Sequence, residues 1–323
     1  MLDILKKDFD ENETYKAYNI NNVYKCNNDD LAKVLSYILQ NNNGERILIQ
    51  IPNTKGLTDE MVDLLTDNID VRIIGGLTQE YSKTHNKGPN MDNLREKATY
   101  SKYELKQIMS KIKEIESKID NGWNDFEKAL YLCQYIKYNI VYRKPGDIEG
   151  NMPLDTGGNT YRTRTWDTLL GLVNGLSTCS GFSHIYQELC ERQNIKCVKT
   201  GGKYVIHGSH AWNYITIDNK NYLVDTIWDA IEFEKGNDVN KSFGIRNVND
   251  YEPRAYKEIH SKLDYINQEW IDDRCNYFKT IIPKLTEEDR KNIINHFLET
   301  KEQDKERMNY LVDPYSIKYN VLM

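Results

Sequence analysis

The chain has 323 residues, 43 Lys+Arg against 49 Asp+Glu, a formal charge of −6 and a mean hydropathy of −0.72. That length suits roughly two domains, each able to bury a core without disulfides or a structural metal. The acidic balance argues against a nucleic-acid groove or an anionic membrane surface as partner, and no apolar run reaches the length of a membrane span.

The N-terminal Met1-Leu2-Asp3-Ile4-Leu5-Lys6-Lys7 carries no apolar stretch of secretory length. We therefore expect a cytoplasmic protein whose six cysteines are free thiols; none forms a CxxC pair, which disfavours a zinc ribbon or thioredoxin-like chemistry. Leu31, Val34, Leu35, Ile38 and Leu39 recur at helical spacing, and Asn43-Gly44 ends the run. Arg46–Ile51 reads as a strand, Thr58 caps a short helix carrying Met61, Val62, Leu64 and Leu65, and Val71–Ile74 reads as the next strand. Strand–helix–strand at this length predicts a small α/β unit with a parallel pair. It has neither GxGxxG nor a P-loop, and Gly75-Gly76 is read as a turn.

The polar stretch 83–98 is the best domain boundary. Two helices follow. Leu105, Ile108, Ile112, Ile115 and Ile119 line the first, Asn121-Gly122 breaks it, and Phe126, Ala129, Leu130, Cys133 and Ile136 line the second. Residues 144–160, with Pro145, Pro153 and four glycines, read as a long loop. Past about 240 the chain reads as polar and helical, with a capping-box pattern from Thr286 to Asp289 and a solvated charge run from Lys301 to Arg307. The division expected is 1–98, an accessory α/β unit; 99–258, a core; and 259–323, a helical segment.

Chemistry concentrates between Trp166 and Asp229. An apolar stripe, Phe182, Ile185/Tyr186 and Leu189, follows Cys179, so Cys179 falls at or near a helix N-terminus, where unpaired N–H groups favour a thiolate. The same position also suits a small core residue. A strand near Tyr204–Ile206, a second over His210–Ile217, the turn pair Asp218-Asn219 and a returning strand Asn221–Trp228 follow. Centring a two-residue turn on 218/219 sets His210 opposite Ile227 and Trp212 opposite Asp225. His210 and Asp225 then share a face, one diagonal step of about 7–8 Å apart. Asp229 has an equal diagonal claim on His210. His207, of opposite parity, falls outside the site, and His184 is placed at the surface or the core edge.

These residues carry a resemblance. Cys179-Ser180-Gly181-Phe182-Ser183, His210-Ala211-Trp212-Asn213 and Tyr222-Leu223-Val224-Asp225-Thr226-Ile227-Trp228-Asp229 resemble the bacterial pattern of the transglutaminase-like superfamily, G-x-C-x-G-[YF]-[AS], then HAWN, then YLVDxxWD, in order and in spacing. The resemblance covers about 101–260. Ser177 stands where a glycine is frequent, and Thr226-Ile227 replaces Pro-Thr.

The resemblance implies an α+β fold with a papain-like core, the cysteine on a helix N-terminus and the His and Asp on an antiparallel sheet, flanked by the N-terminal α/β unit and a C-terminal helical tail. It implies Cys179 as nucleophile, His210 as base and Asp225 as the carboxylate orienting it, with Asp229 a structural acid. Trp166 is the candidate second oxyanion donor, beside the Cys179 N–H, and Trp212 a supporting residue. The implied activity is a cysteine-dependent amide hydrolase or acyltransferase working through a thioester, most simply a peptidase-like hydrolase on a peptide or protein. The alternatives are a protein-crosslinking transglutaminase and an inactive binding module. No cofactor or metal is implied: neither an EF-hand loop nor zinc-ligand spacing is present. The sequence indicates no oligomeric state.

Overall fold

The computed structural model describes residues 20–25, 28–73, 99–142, 169–205, 208–297 and 299. Gly75-Gly76, the 83–98 stretch, the 144–160 loop, Trp166, His207 and the 301–307 charge run lie outside them. The architecture is α+β. The described residues fall into two compact units, one reaching Ser110 and the other starting at Lys111.

The first unit holds the strand–helix–strand pattern. Strands β1 (Ile20–Lys25), β2 (Arg46–Ile51) and β3 (Ile69–Ile73) pair in parallel, and β4 (Thr99–Tyr100) pairs antiparallel with β3. Parallel neighbours need crossovers. Helix α1 (Leu31–Asn41) links β1 to β2, and α2 (Asp59–Leu64) links β2 to β3. Leu31, Val34, Leu35 and Ile38 of α1 are buried. The Thr58 hydroxyl accepts from the Met61 N–H at 3.2 Å, the predicted cap. Every residue of β3 is buried, as a strand covered on both faces requires.

In the second unit, helices α3 (Lys102–Glu116, which begins in the first unit) and α4 (Asp125–Asn139) follow the predicted seams, except that α3 ends at Glu116, short of Ile119. Asn124 and Glu127 close a capping box at the start of α4. Strands β5 (Val141–Tyr142) and β6 (Leu176–Ser177) pair in parallel around α5 (Leu170–Asn174). Helix α6 (Cys179–Arg192) lies against an antiparallel sheet and against α4. Its order is β10 (Tyr251–Pro253), β7 (Lys196–Tyr204), β8 (Gly208–Ile217), β9 (Lys220–Val224).

Two expectations are corrected here. The strand read near 204–206 begins at Lys196; the sequence Lys-Cys-Val-Lys-Thr-Gly-Gly-Lys-Tyr hides it, because glycine and lysine are poor strand formers. The region past 240 is not uniformly helical: β10 adds to the sheet edge, ahead of α8 (Lys257–His260) and α9 (Gln268–Ile281). Farther on, Thr286 and Asp289 do form their reciprocal cap, at 2.8 and 3.0 Å.

Candidate active site

Cys179 is the first residue of α6, with Thr178 in extended conformation at the cap. The helix is buried from Ser180 to Cys190, while Cys179 itself is only partly covered. Its N-terminal turn presents unpaired backbone N–H groups where the sulfur sits. Two hydrogen bonds tie the sheet to this helix: Asn213 Nδ2 donates to the Ser183 carbonyl at 2.9 Å, and buried Lys199 Nζ donates to Ser180 Oγ at 2.8 Å.

The turn Asp218-Asn219 has φ of 51° and 60°, the two left-handed residues of a tight hairpin turn. The β8–β9 register is the expected one, Ile217 opposite Lys220 through Asn213 opposite Val224. There the ladder stops, and the predicted strand to Trp228 is corrected. The Asp225 N–H turns to the Ser242 carbonyl at 2.8 Å, and Val224 bridges to Phe243. A different segment takes over the pairing, so Ile227 never faces His210. Helix α7 (Ile227–Glu234) begins instead.

The carboxylate parity survives this change. His210 Nε2 lies 2.6 Å from Asp225 Oδ2, with both side chains buried. The same oxygen accepts from the Tyr251 hydroxyl at 3.0 Å, and Tyr251 in turn accepts from Trp228 Nε1 at 2.9 Å. With Nε2 held by Asp225, Nδ1 is the ring nitrogen left for Cys179, which acts electrostatically on this imidazole.

Asp229 is brought elsewhere. It lies in the first turn of α7, and its carboxylate accepts from the Lys241 N–H at 2.8 and 3.0 Å and from the Ser242 N–H at 3.1 Å. Hairpin arithmetic gave Asp225 and Asp229 equal claims; the start of α7 separates them.

Rings enclose the imidazole. Trp212, fully buried, stacks on His210 with centroids 6.0 Å apart and planes at 27°. Trp228, Tyr204 and Tyr251 stand at 5.5, 5.7 and 6.4 Å. Tyr251 and Tyr204 were not singled out from sequence. Tyr251 lies 26 residues past Asp225, on a strand that pairs with β7 rather than with its sequence neighbours. Trp228 is the tryptophan of the third motif. His184, 9% exposed, sits at the core edge.

Charge follows from this enclosure. Burial opposes an imidazolium, but the Asp225 charge and hydrogen bond, joined by those of Cys179, outweigh it and lift His210 to about 10. Burial first, then the Asp225 charge, raises the Tyr251 phenol far above its ordinary range, so it stays a donor. Burial also lifts Asp229 to about 6 despite its hydrogen bonds to the Lys241 and Ser242 N–H groups and the nearby charge of Lys137. Among the described residues, no group of three or more His, Cys, Asp or Glu could hold a metal ion, and no helix is long and apolar enough to cross a membrane.

No family model matches the chain. It is 20% identical over 127 residues to kyphoscoliosis peptidase of Mus musculus, an alignment covering 35% of this chain and 17% of that protein. Against kyphoscoliosis peptidase of Homo sapiens it is 21% identical over 112 residues, covering 31% and 15%. The chain thus spans under a fifth of the length of the curated relatives it matches. The similarity is weak and partial, and it is to a peptidase.

Proposed function

We propose that the protein is a transglutaminase-like cysteine enzyme that hydrolyses amide bonds in a peptide or protein substrate. The observation that carries this reading is the 2.6 Å His210–Asp225 pair, buried, with partly covered Cys179 acting on the same ring from the start of a helix. The similarity to a peptidase and the three motifs support it.

In this mechanism His210, protonated and fixed by Asp225, holds Cys179 as thiolate. The thiolate attacks the substrate carbonyl, and the Cys179 N–H at the helix start takes the oxyanion. Trp166 remains the proposed second donor. The imidazolium gives its proton to the leaving amine as the C–N bond breaks, leaving a thioester. His210, now neutral, takes a proton from water as the water oxygen attacks; the acid leaves and the thiolate returns. Trp212 supports the ring from below, and Asp229 holds the segment that receives the Asp225 N–H.

The test is incubation with a peptide library, new N-termini being read by mass spectrometry. The wild type cleaves, and Cys179→Ala, His210→Gln and Asp225→Ala do not. Equal cleavage by wild type and Cys179→Ala ends the proposal. Adding a primary amine separates the chemistries: incorporation of the amine into the acyl product marks an acyltransferase, whereas free acid alone marks a hydrolase.

A further inference from the structure

Lys137 lies on α4, in a part of the chain where nothing in the sequence pointed to the site. Its side chain has no exposed surface, and a buried ammonium needs oxygens around it. Four are present: Asp238 Oδ1 at 2.5 Å, the Val239 carbonyl at 2.6 Å, Asn240 Oδ1 at 3.1 Å and Gln134 Oε1 at 3.5 Å. Three of them come from consecutive residues of one segment. One cation therefore pins 238–240 onto α4. Tyr138 and Lys279 steady Asp238 at 2.9 and 3.1 Å, and Asp272 holds Asn240 at 3.0 Å.

The next two residues are those that touch the acids. Lys241 and Ser242 donate to Asp229, the Asp229 N–H donates to Ser242 Oγ at 2.9 Å, and the Ser242 carbonyl receives the Asp225 N–H at 2.8 Å. Asp225 has left the β8 ladder by this point, so Ser242 is what places its backbone. The path from the Lys137 ammonium to Asp225 runs through its hydrogen bonds to 238–240, the backbone of 241–242, and the hydrogen bond from the Asp225 N–H to the Ser242 carbonyl. We infer that Lys137 is a positioning residue for the Cys179–His210–Asp225 set, acting through segment 238–242; this inference rests on the functional reading above. The charge of Lys137 also holds down the Asp229 carboxyl, so its loss favours protonation of Asp229 and frees the N–H groups of 241 and 242.

The experiment reads the His210 imidazole directly, by nitrogen-15 NMR titration of histidine-labelled full chain, with its signals assigned from their loss in His210→Gln. The titratable groups facing this ring are Asp225, Cys179, Tyr204 and Tyr251. Removing a positive charge some distance away raises an imidazole midpoint, whereas loosening Asp225 lowers it, so the sign separates the two effects. Lys137→Met is expected to lower the His210 midpoint by roughly one pH unit or more. An unchanged or raised midpoint in a folded Lys137→Met protein overturns the inference. Should that variant fail to fold, Asn240→Ala decides in the same way: a lowered midpoint supports the role and an unchanged one ends it. The titration needs no substrate, so failure of the peptide-cleavage test and failure here are distinguishable.

Discussion

Tyr251 donates its hydroxyl to the same oxygen of Asp225 that holds His210, at 3.0 Å against 2.6 Å. The carboxylate is thus fixed from two sides, by a ring on β8 and a ring on β10. Removing the phenol hydroxyl leaves Asp225 Oδ2 with the imidazole alone, and Oδ1 with only the long bond from the Ile227 N–H at 3.4 Å. Tyr251→Phe is expected to fold, to lose about 1–2 kcal/mol of stability, and to slow Cys179 alkylation by iodoacetamide on the order of tenfold. Wild-type alkylation rates in that variant would remove Tyr251 from the site.

Stability should fall on the alkaline side because of His210. Its folded value of about 10 lies above the ordinary 6.5, so its contribution is fully present below about 6.5 and is lost as pH rises through 10. Urea unfolding across that window should weaken by up to about 1 kcal/mol per pH unit. His210→Gln should show a flatter profile over the same range. Parallel profiles for the two proteins count against the buried ion pair.

Asp229 makes a different prediction. Its alanine variant leaves the Ser242 N–H buried without an acceptor and takes the carboxylate partner from the Lys241 N–H, at a cost of about 2–4 kcal/mol. Because burial lifts the carboxyl from 3.8 to about 6, its own titration contributes stability fully below 3.8 and loses it as pH rises through 6. Asp229→Ala should lack that slope in a denaturant series from pH 3.8 to 7. Retention of the slope assigns it to another group.

The neighbouring glycines of β7 should behave unequally. A Cβ on Gly202 would meet the Glu252 carbonyl oxygen and lie 2.7 Å from Trp212 Cη2, the ring beneath His210. On Gly201 it would meet only the His210 carbonyl oxygen, at 3.4 Å. Gly202→Ala is expected to cost about 2 kcal/mol or more and to lower alkylation, whereas Gly201→Ala costs under about 1 kcal/mol. Thermal unfolding and alkylation of the two variants check this, and equal costs would contradict it.

What the sequence made legible was local. The apolar stripe after Cys179 places a helix start, and Asp218-Asn219 sets the register that brings His210 and Asp225 to one face. Their separation in the chain is short, so two-residue periodicity carries the argument. The end of β9 at Val224 was hidden, because the partner that captures the Asp225 N–H is Ser242, far along the chain. Tyr251 and Lys137 act across long separations and leave no periodic trace. Asp229 looked equivalent to Asp225 only while both were assigned to one strand.

Helix α6 is enclosed without a gap from Ser180 to Cys190, so it can neither turn nor slide unless core atoms move with it. The sulfur at its tip inherits that rigidity. Damage to reactivity should therefore arise deep inside, at residues such as Phe182 or Tyr186 that never meet a substrate, since a shaved ring there shifts the whole shaft and takes the thiol out of line with its imidazole.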